Sequence, residues 1–269
     1  MGNGILTASV IVGTIAAGVT AALLSDDKSK KADGNTVRSN FTPDAINNSS
    51  DEEEAFTNDE DFDFDVKKGR VTLVSYNGSD KIVRISDIVN EIADSAFEDC
   101  SAEIIEIPEK VEKIGDSAFC GCKNLKEVTM PFRMKKLGAY AFKGCEALEV
   151  MEVPEDIDVI GEETFADCTS LAEITLPHSL KKIGDSAFSG CENLAEIEIP
   201  NSVKNIGENA FDGCIRLEDV YLPDGIDTLG ENNEDSDVFG GCENISVEYD
   251  GNTYRYGQLK SLYIRVNCQ

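Results

Sequence analysis

The chain has 269 residues and carries 24 Lys and Arg against 52 Asp and Glu, a formal net charge of −28. So acidic a balance argues against nucleic acid and anionic membrane surfaces as partners, since both require a basic footprint. It favours basic protein surfaces or cations instead. The single histidine, His178, offers little for acid–base catalysis or histidine-rich metal sites, and no cofactor is expected.

The first predicted element is residues 1–24. No charge occurs from Ile5 to Leu24, and Ile, Leu, Val and Ala dominate. Twenty such residues at about 1.5 Å each would cross a hydrocarbon core of roughly 30 Å. The segment reads as a single-pass membrane anchor, with a cleaved secretory signal or a buried soluble helix as alternatives. No Lys or Arg precedes it, whereas Lys28, Lys30, Lys31 and Arg38 follow, which weakens the signal reading.

Residues 25–70 come next. Acids crowd there, with Asp51, Glu52, Glu53 and Glu54 followed by Asp59, Glu60, Asp61, Asp63 and Asp65. So charged a stretch buries too little apolar surface to offset ordering, and the expectation is a disordered acidic linker. Phe56, Phe62 and Phe64 sit among these acids, either as a docking motif or, as we expect, as incidental aromatics of a solvated spacer.

From Val71 onwards the chain repeats itself. Cys100, Cys122, Cys145, Cys168, Cys191, Cys214 and Cys242 are separated by 22, 23, 23, 23, 23 and 28 residues. Pro108, Pro131, Pro154, Pro177, Pro200 and Pro223 each lie 23 apart, and a phenylalanine precedes every aligned cysteine by three positions. A fixed period of this length is the signature of a stacked solenoid. In the unit 191–213, Leu194, Ile197 and Ile199 alternate as on a half-buried strand, and Pro200 ends it. Val203 and Ile206 form a second inward pair, Gly207 is read as permitting the bend, and Ala210, Phe211 and Cys191 close the coil. The expected body is a solenoid of seven to eight coils over residues 71–248, with parallel strands and short helical or 3₁₀ turns. A cap at 249–269 is expected to follow, since Asp250-Gly251 marks a hairpin and Leu259 to Val266 is apolar at helical spacing.

These units, such as LPHSLKKIGDSAFSGC (176–191) and IPNSVKNIGENAFDGC (199–214), resemble the BspA-type leucine-rich repeat family. The resemblance covers roughly residues 80–269. It implies a curved, right-handed leucine-rich-repeat solenoid of bacterial or protist proteins, many of them displayed on the cell surface to bind host or matrix proteins. It supplies no catalytic residues.

Candidate sites follow from the stacking. Identical cysteines one coil apart carry parallel side chains, so buried core thiols are expected rather than bridges or a zinc site. Cys120 breaks the pattern and reads as exposed, either a reactive thiol or a neutral substitution. On the outward side of the first strand, Glu127, Val150, Glu173, Glu196 and Asp219 form one column. Thr129, Glu152, Thr175, Glu198 and Tyr221 form the next, and Glu106 extends it upstream. Such a face is either a solvated surface or a contact for a basic protein partner with Tyr221 as anchor. The insertion 230–241 is oxygen-rich but lacks EF-hand spacing, so a calcium site is a minor alternative to an ordinary surface loop. His178 lies at a variable coil edge. With no nucleophile elbow and no phosphate-binding loop, the expectation is a non-enzymatic recognition or adhesion protein, membrane-anchored and displayed outside the cell. The alternative is a scaffold on the cytoplasmic face, favoured by the positive charges after the anchor.

Overall fold

The computed structural model describes residues 36–37, 59–230 and 237–267. The proposed anchor, Phe56 and residues 231–236 of the insertion lie outside the described residues. No helix among the described residues is long and apolar enough to cross a membrane.

About seven coils of 23 residues stack in parallel, and most supply two short strands. The first ladder contains Ile82–Arg84, Ile104–Glu106, Glu127–Thr129, Val150–Glu152, Glu173–Thr175, Asp219–Tyr221 and Ser246–Tyr249. The second runs from Arg70–Tyr76 through Glu91–Ile92, Lys113–Ile114 and Lys136–Leu137 to Thr228–Leu229. A third set of rungs joins the turns: the Phe119 N–H donates to Ala141 O at 2.8 Å, and Phe165, Phe188 and Phe211 repeat the bond one coil on.

All eight expected inward positions of the 191–213 unit are buried. Phe97, Phe119, Phe142, Phe165, Phe188, Phe211 and Phe239 form one continuous stack, with ring centroids 5.1–5.6 Å apart. Each such pair adds about 0.5–1.5 kcal/mol beyond area burial. The thiols lie beside this stack. Cys145, Cys168, Cys191, Cys214 and Cys242 each donate to the carbonyl of the preceding coil's phenylalanine at 3.1–3.3 Å, and burial pushes their ionisation up. They are small core side chains with a satisfied donor.

The role expected for Gly207 needs correction. Its φ is not among the positive values, so no left-handed bend requires it. A Cβ there would instead lie 2.6 Å from the Gly184 carbonyl carbon, and Gly184 stands in the same relation to Gly161. Close stacking of backbone on backbone is what demands glycine here.

The boundary at residue 70 also moves. Phe62–Lys67 is a strand paired antiparallel to Arg70–Tyr76, and Thr36–Val37 pairs with its outer edge. Phe62 is buried and Phe64 packs on the core. Phe62 meets Tyr76 at 5.1 Å, and Tyr76 meets Phe97 at 5.3 Å, so the aromatic stack begins inside the segment read as linker. Alternating Phe-Asp-Phe-Asp is a half-buried strand, and the charge count of the surrounding run concealed it.

At the other end, Ser246–Tyr249 and Asn252–Arg255 form the expected hairpin, with Asp250 and Gly251 both at positive φ as a type I′ turn requires. A helix follows at Leu259–Asn267 and buries Leu259, Leu262, Tyr263 and Val266. Its last residue finishes the second ladder. Asn267 Nδ2 donates to Leu229 O at 3.0 Å, and the Leu229 N–H donates to Asn267 Oδ1 at 2.9 Å. The side-chain amide stands where the next strand's backbone would be.

Replacing Phe62 by Ala should lower unfolding stability by about 3–5 kcal/mol, as for other buried aromatics. Equilibrium urea unfolding of the full chain measures this, and a loss below about 1 kcal/mol would return residues 62–70 to the spacer.

Candidate interaction face

The two expected columns exist as rungs of the first ladder. Ile104 faces Glu127 and Glu106 faces Thr129; Val150 faces Glu173 and Glu152 faces Thr175. Asp219 faces Ser246 and Tyr221 faces Glu248. Arg84 opposes Glu106, with Nε 3.0 Å from Oε2. Arg84 and Glu248 therefore belong to the second column. Sequence reasoning missed both because their coils are the degenerate ends of the repeat.

In each fully paired rung that carries an acid, the residue opposite is neutral or, at Arg84, basic. The 23-residue register sets Glu173 against Glu196, and Glu196 bridges Asp219. Those are the acid-on-acid rungs, and there the ladder opens: residues 196–199 contribute one isolated bridge and no strand. The Ile199 N–H finds no acceptor among the described residues, whereas the equivalent Val153 and Leu222 amides bond to Thr175 O and Glu248 O. Like charges directly opposite are destabilising. Yet the one rung this coil keeps is the acid-on-acid Glu196–Asp219 bridge, and the Glu198 rungs it lacks face the neutral Thr175 and Tyr221. Charge is at most a contributor to the opening. A second interruption, between Glu127–Thr129 and Val150–Glu152, affects both ladders and involves no like charges. It falls where Met130 and Met134 replace the Ile, Leu or Val of other coils.

The face is also uncompensated. Some acids elsewhere are paired: Glu103 takes Lys81 and Lys126, which hold its carboxyl down at about 2, and Glu112 takes Lys135 and Arg70. Glu127, Glu152, Glu173, Glu196, Glu198 and Asp219 have no ion pair among the described residues. All six are exposed. An open groove of about 1220 Å³ lies over the interrupted rungs, lined among others by Thr175, His178, Glu196, Glu198, Asp219 and Tyr221. Tyr221 is 62% exposed, and Val150 is exposed in the same columns. His178 is tied back to Glu155, through its N–H at 3.0 Å and Nδ1 at 3.2 Å, and this contact lowers the Glu155 carboxyl. Its place at the groove edge is one that sequence alone did not connect with the acidic columns.

Cys120 is half-buried, and burial raises its thiol, so the exposed position expected from sequence is only partly open. Asp237 is the one described acid of residues 231–237. It accepts a hydrogen bond from the buried Tyr263 hydroxyl at 3.1 Å. Glu231, Glu234 and Asp235, on which a calcium reading depends, lie outside the described residues.

The model of the BspA type leucine rich repeat region matches this chain in six copies, over residues 90–218 and 163–249, together more than half its length. Among solved structures, a leucine rich cell surface protein from Faecalibacterium prausnitzii is 27% identical with a TM-score of 0.64. The match covers 77% of this chain and 57% of that one, so this chain spans little more than half of that protein. A leucine rich repeat protein from T. pallidum is 29% identical over 74% of this chain and 83% of its own, with a TM-score of 0.49. No curated protein sequence matches.

If like-charge stacking opens the ladder, Glu196→Gln should stabilise the protein by about 0.2–1 kcal/mol. Added salt should shrink the gain as it screens the exposed carboxylates. Glu152→Gln, at a position flanked by Thr175, is the control and should give none. Thermal melts at low and high ionic strength compare the two, and equal responses would remove charge as the cause.

Proposed function

Given that the chain belongs to the BspA-type leucine-rich-repeat family, we propose that it is a non-enzymatic recognition module whose acidic first ladder captures a basic segment of a partner protein. The observation that carries this reading is the uncompensated run of carboxylates beside the open rungs and groove. Some acids on the other faces, Glu103, Glu112, Glu146 and Glu163 among them, have lysine partners in the same chain. On the first ladder Glu106 pairs with Arg84, while Glu127, Glu152, Glu173, Glu196, Glu198 and Asp219 stay exposed with no ion pair among the described residues.

The chemistry suits an extended basic segment. Across the two columns every coil from Glu127 to Asp219 presents at least one carboxylate, so Lys or Arg side chains spaced along a partner would each meet one. Tyr221 supplies a large, rigid and mostly exposed ring at the groove, the kind of side chain that anchors an interface core. Charge complementarity of this type raises association rate and selects the partner's sign.

We place the module outside the cell, held by an apolar N-terminus. The cell-surface description of the F. prausnitzii protein supports display. The basic residues that follow the apolar segment favour the opposite topology, with the solenoid on the cytoplasmic face. Proteolysis of intact cells separates the two: external display predicts loss of the solenoid without lysis, and its survival until lysis would establish the cytoplasmic arrangement.

The binding face has its own test. Reversing Glu173, Glu196 and Asp219 to Lys should reduce capture of a Lys- and Arg-rich peptide by at least tenfold in a surface-binding assay, and salt should weaken wild-type capture steeply. Capture unchanged by the triple reversal would remove this face.

A further inference from the structure

The thiol ladder has one irregular member. Cys122 and the cysteines after it donate to the phenylalanine carbonyl of the coil before, Cys122 to Phe97 O at 3.0 Å. Cys100 is the first of the ladder, and the ring beyond Phe97 in the stack belongs to Tyr76, on a strand rather than in a repeat turn. No carbonyl bond to its thiol is found among the described residues; its Sγ lies 3.0 Å from Cys122 Sγ instead. This overturns the expectation that adjacent thiols stay parallel and apart, at this pair alone. Cys100 is also the only aligned cysteine of the described ladder that is not fully buried.

We infer that Cys100 and Cys122 form an oxidant-dependent disulfide between neighbouring coils, a redox modification site in the solenoid. The two Sγ atoms have to approach by about 1 Å in total to reach the bonded distance of roughly 2.05 Å, within the reach of small side-chain rotations. The partly open Cys100 is the entry point. The contact with Cys100 and burial hold the Cys122 thiol up, and Cys100 is the less buried of the pair. With a peroxide as oxidant, the Cys100 thiolate attacks one peroxide oxygen, the O–O bond breaks, and hydroxide leaves, giving a sulfenic acid. Cys122 sulfur then attacks Cys100 sulfur and its proton leaves with the hydroxyl as water. The sum is two thiols and one hydrogen peroxide giving one disulfide and two waters.

The site rests on the thiol geometry alone and is independent of the acidic face. Folded full-length protein treated with dilute hydrogen peroxide, then alkylated, should lose two hydrogens in mass and yield one Cys100–Cys122 cross-linked peptide. Cys145 through Cys242 should stay reduced and alkylate only after denaturation. Melting temperature should rise by about 5 °C and fall back with dithiothreitol, because the bond closes a loop of one coil. Cys100→Ser and Cys122→Ser should each abolish the cross-link, while Cys120→Ser should keep it. Sulfinic or sulfonic acid on Cys100 without a cross-link, or a cross-link that requires Cys120, would overturn the assignment.

Discussion

Each phenylalanine of the stack has one face covered by the coil before it and the other by the coil after it, and the remaining structure depends on that shared burial. A single coil presents two open apolar faces and has no stable form alone. Stacking covers both at once and, in the same step, aligns two strand ladders and a row of turn amides. The requirement for an unbroken column fixes Phe and Cys in every coil. It keeps Ala and Gly at the neighbouring positions in most of them, Thr164, Val238 and Ala93 being the exceptions. It also places one further demand on the molecule, since the first and last rings must be covered by something that is not a repeat.

The two ends meet that demand differently. Upstream, Phe62 and Tyr76 continue the stack on an antiparallel pair of strands. Downstream, a hairpin strand ends the first ladder and Asn267 ends the second with a side-chain amide. Both devices use local structure unlike the 23-residue unit. Their antiparallel strands leave less of the parallel edge exposed, the edge that invites pairing between molecules.

This division explains what the sequence revealed. Positions forced by stacking recur, so the coil count, the inward residues, the strand columns and even the Asp-Gly hairpin were legible from spacing. Phe62 was hidden because its segment was judged by charge composition, which averages over a strand whose alternate residues are acidic. The Cys100–Cys122 contact was hidden for the opposite reason. Perfect repetition predicts parallel, separated thiols, and the departure arises from what lies upstream of Cys100 and not from Cys100 itself. The open rungs at Glu196 were half visible: the like charges could be read in register, but not that pairing would yield.

That yielding is tolerable because it is confined. The coil containing Glu196 keeps its second-ladder pairing on both sides, through Lys182 with Asn205 and Asn205 with Thr228. Its turn rungs persist too, with the Gly190 N–H on Asp212 O at 2.7 Å and Phe211 still in the stack. The thinned pairing is therefore confined to one edge of a coil held along the rest of its circuit. The loosened edge is the outward one, where carboxylates, the Ile199 N–H and Tyr221 lie together beside the groove. Glu196 lies in register between Glu173 and Asp219, so a cation that neutralises it reduces like-charge proximity on both sides as well as forming a new contact.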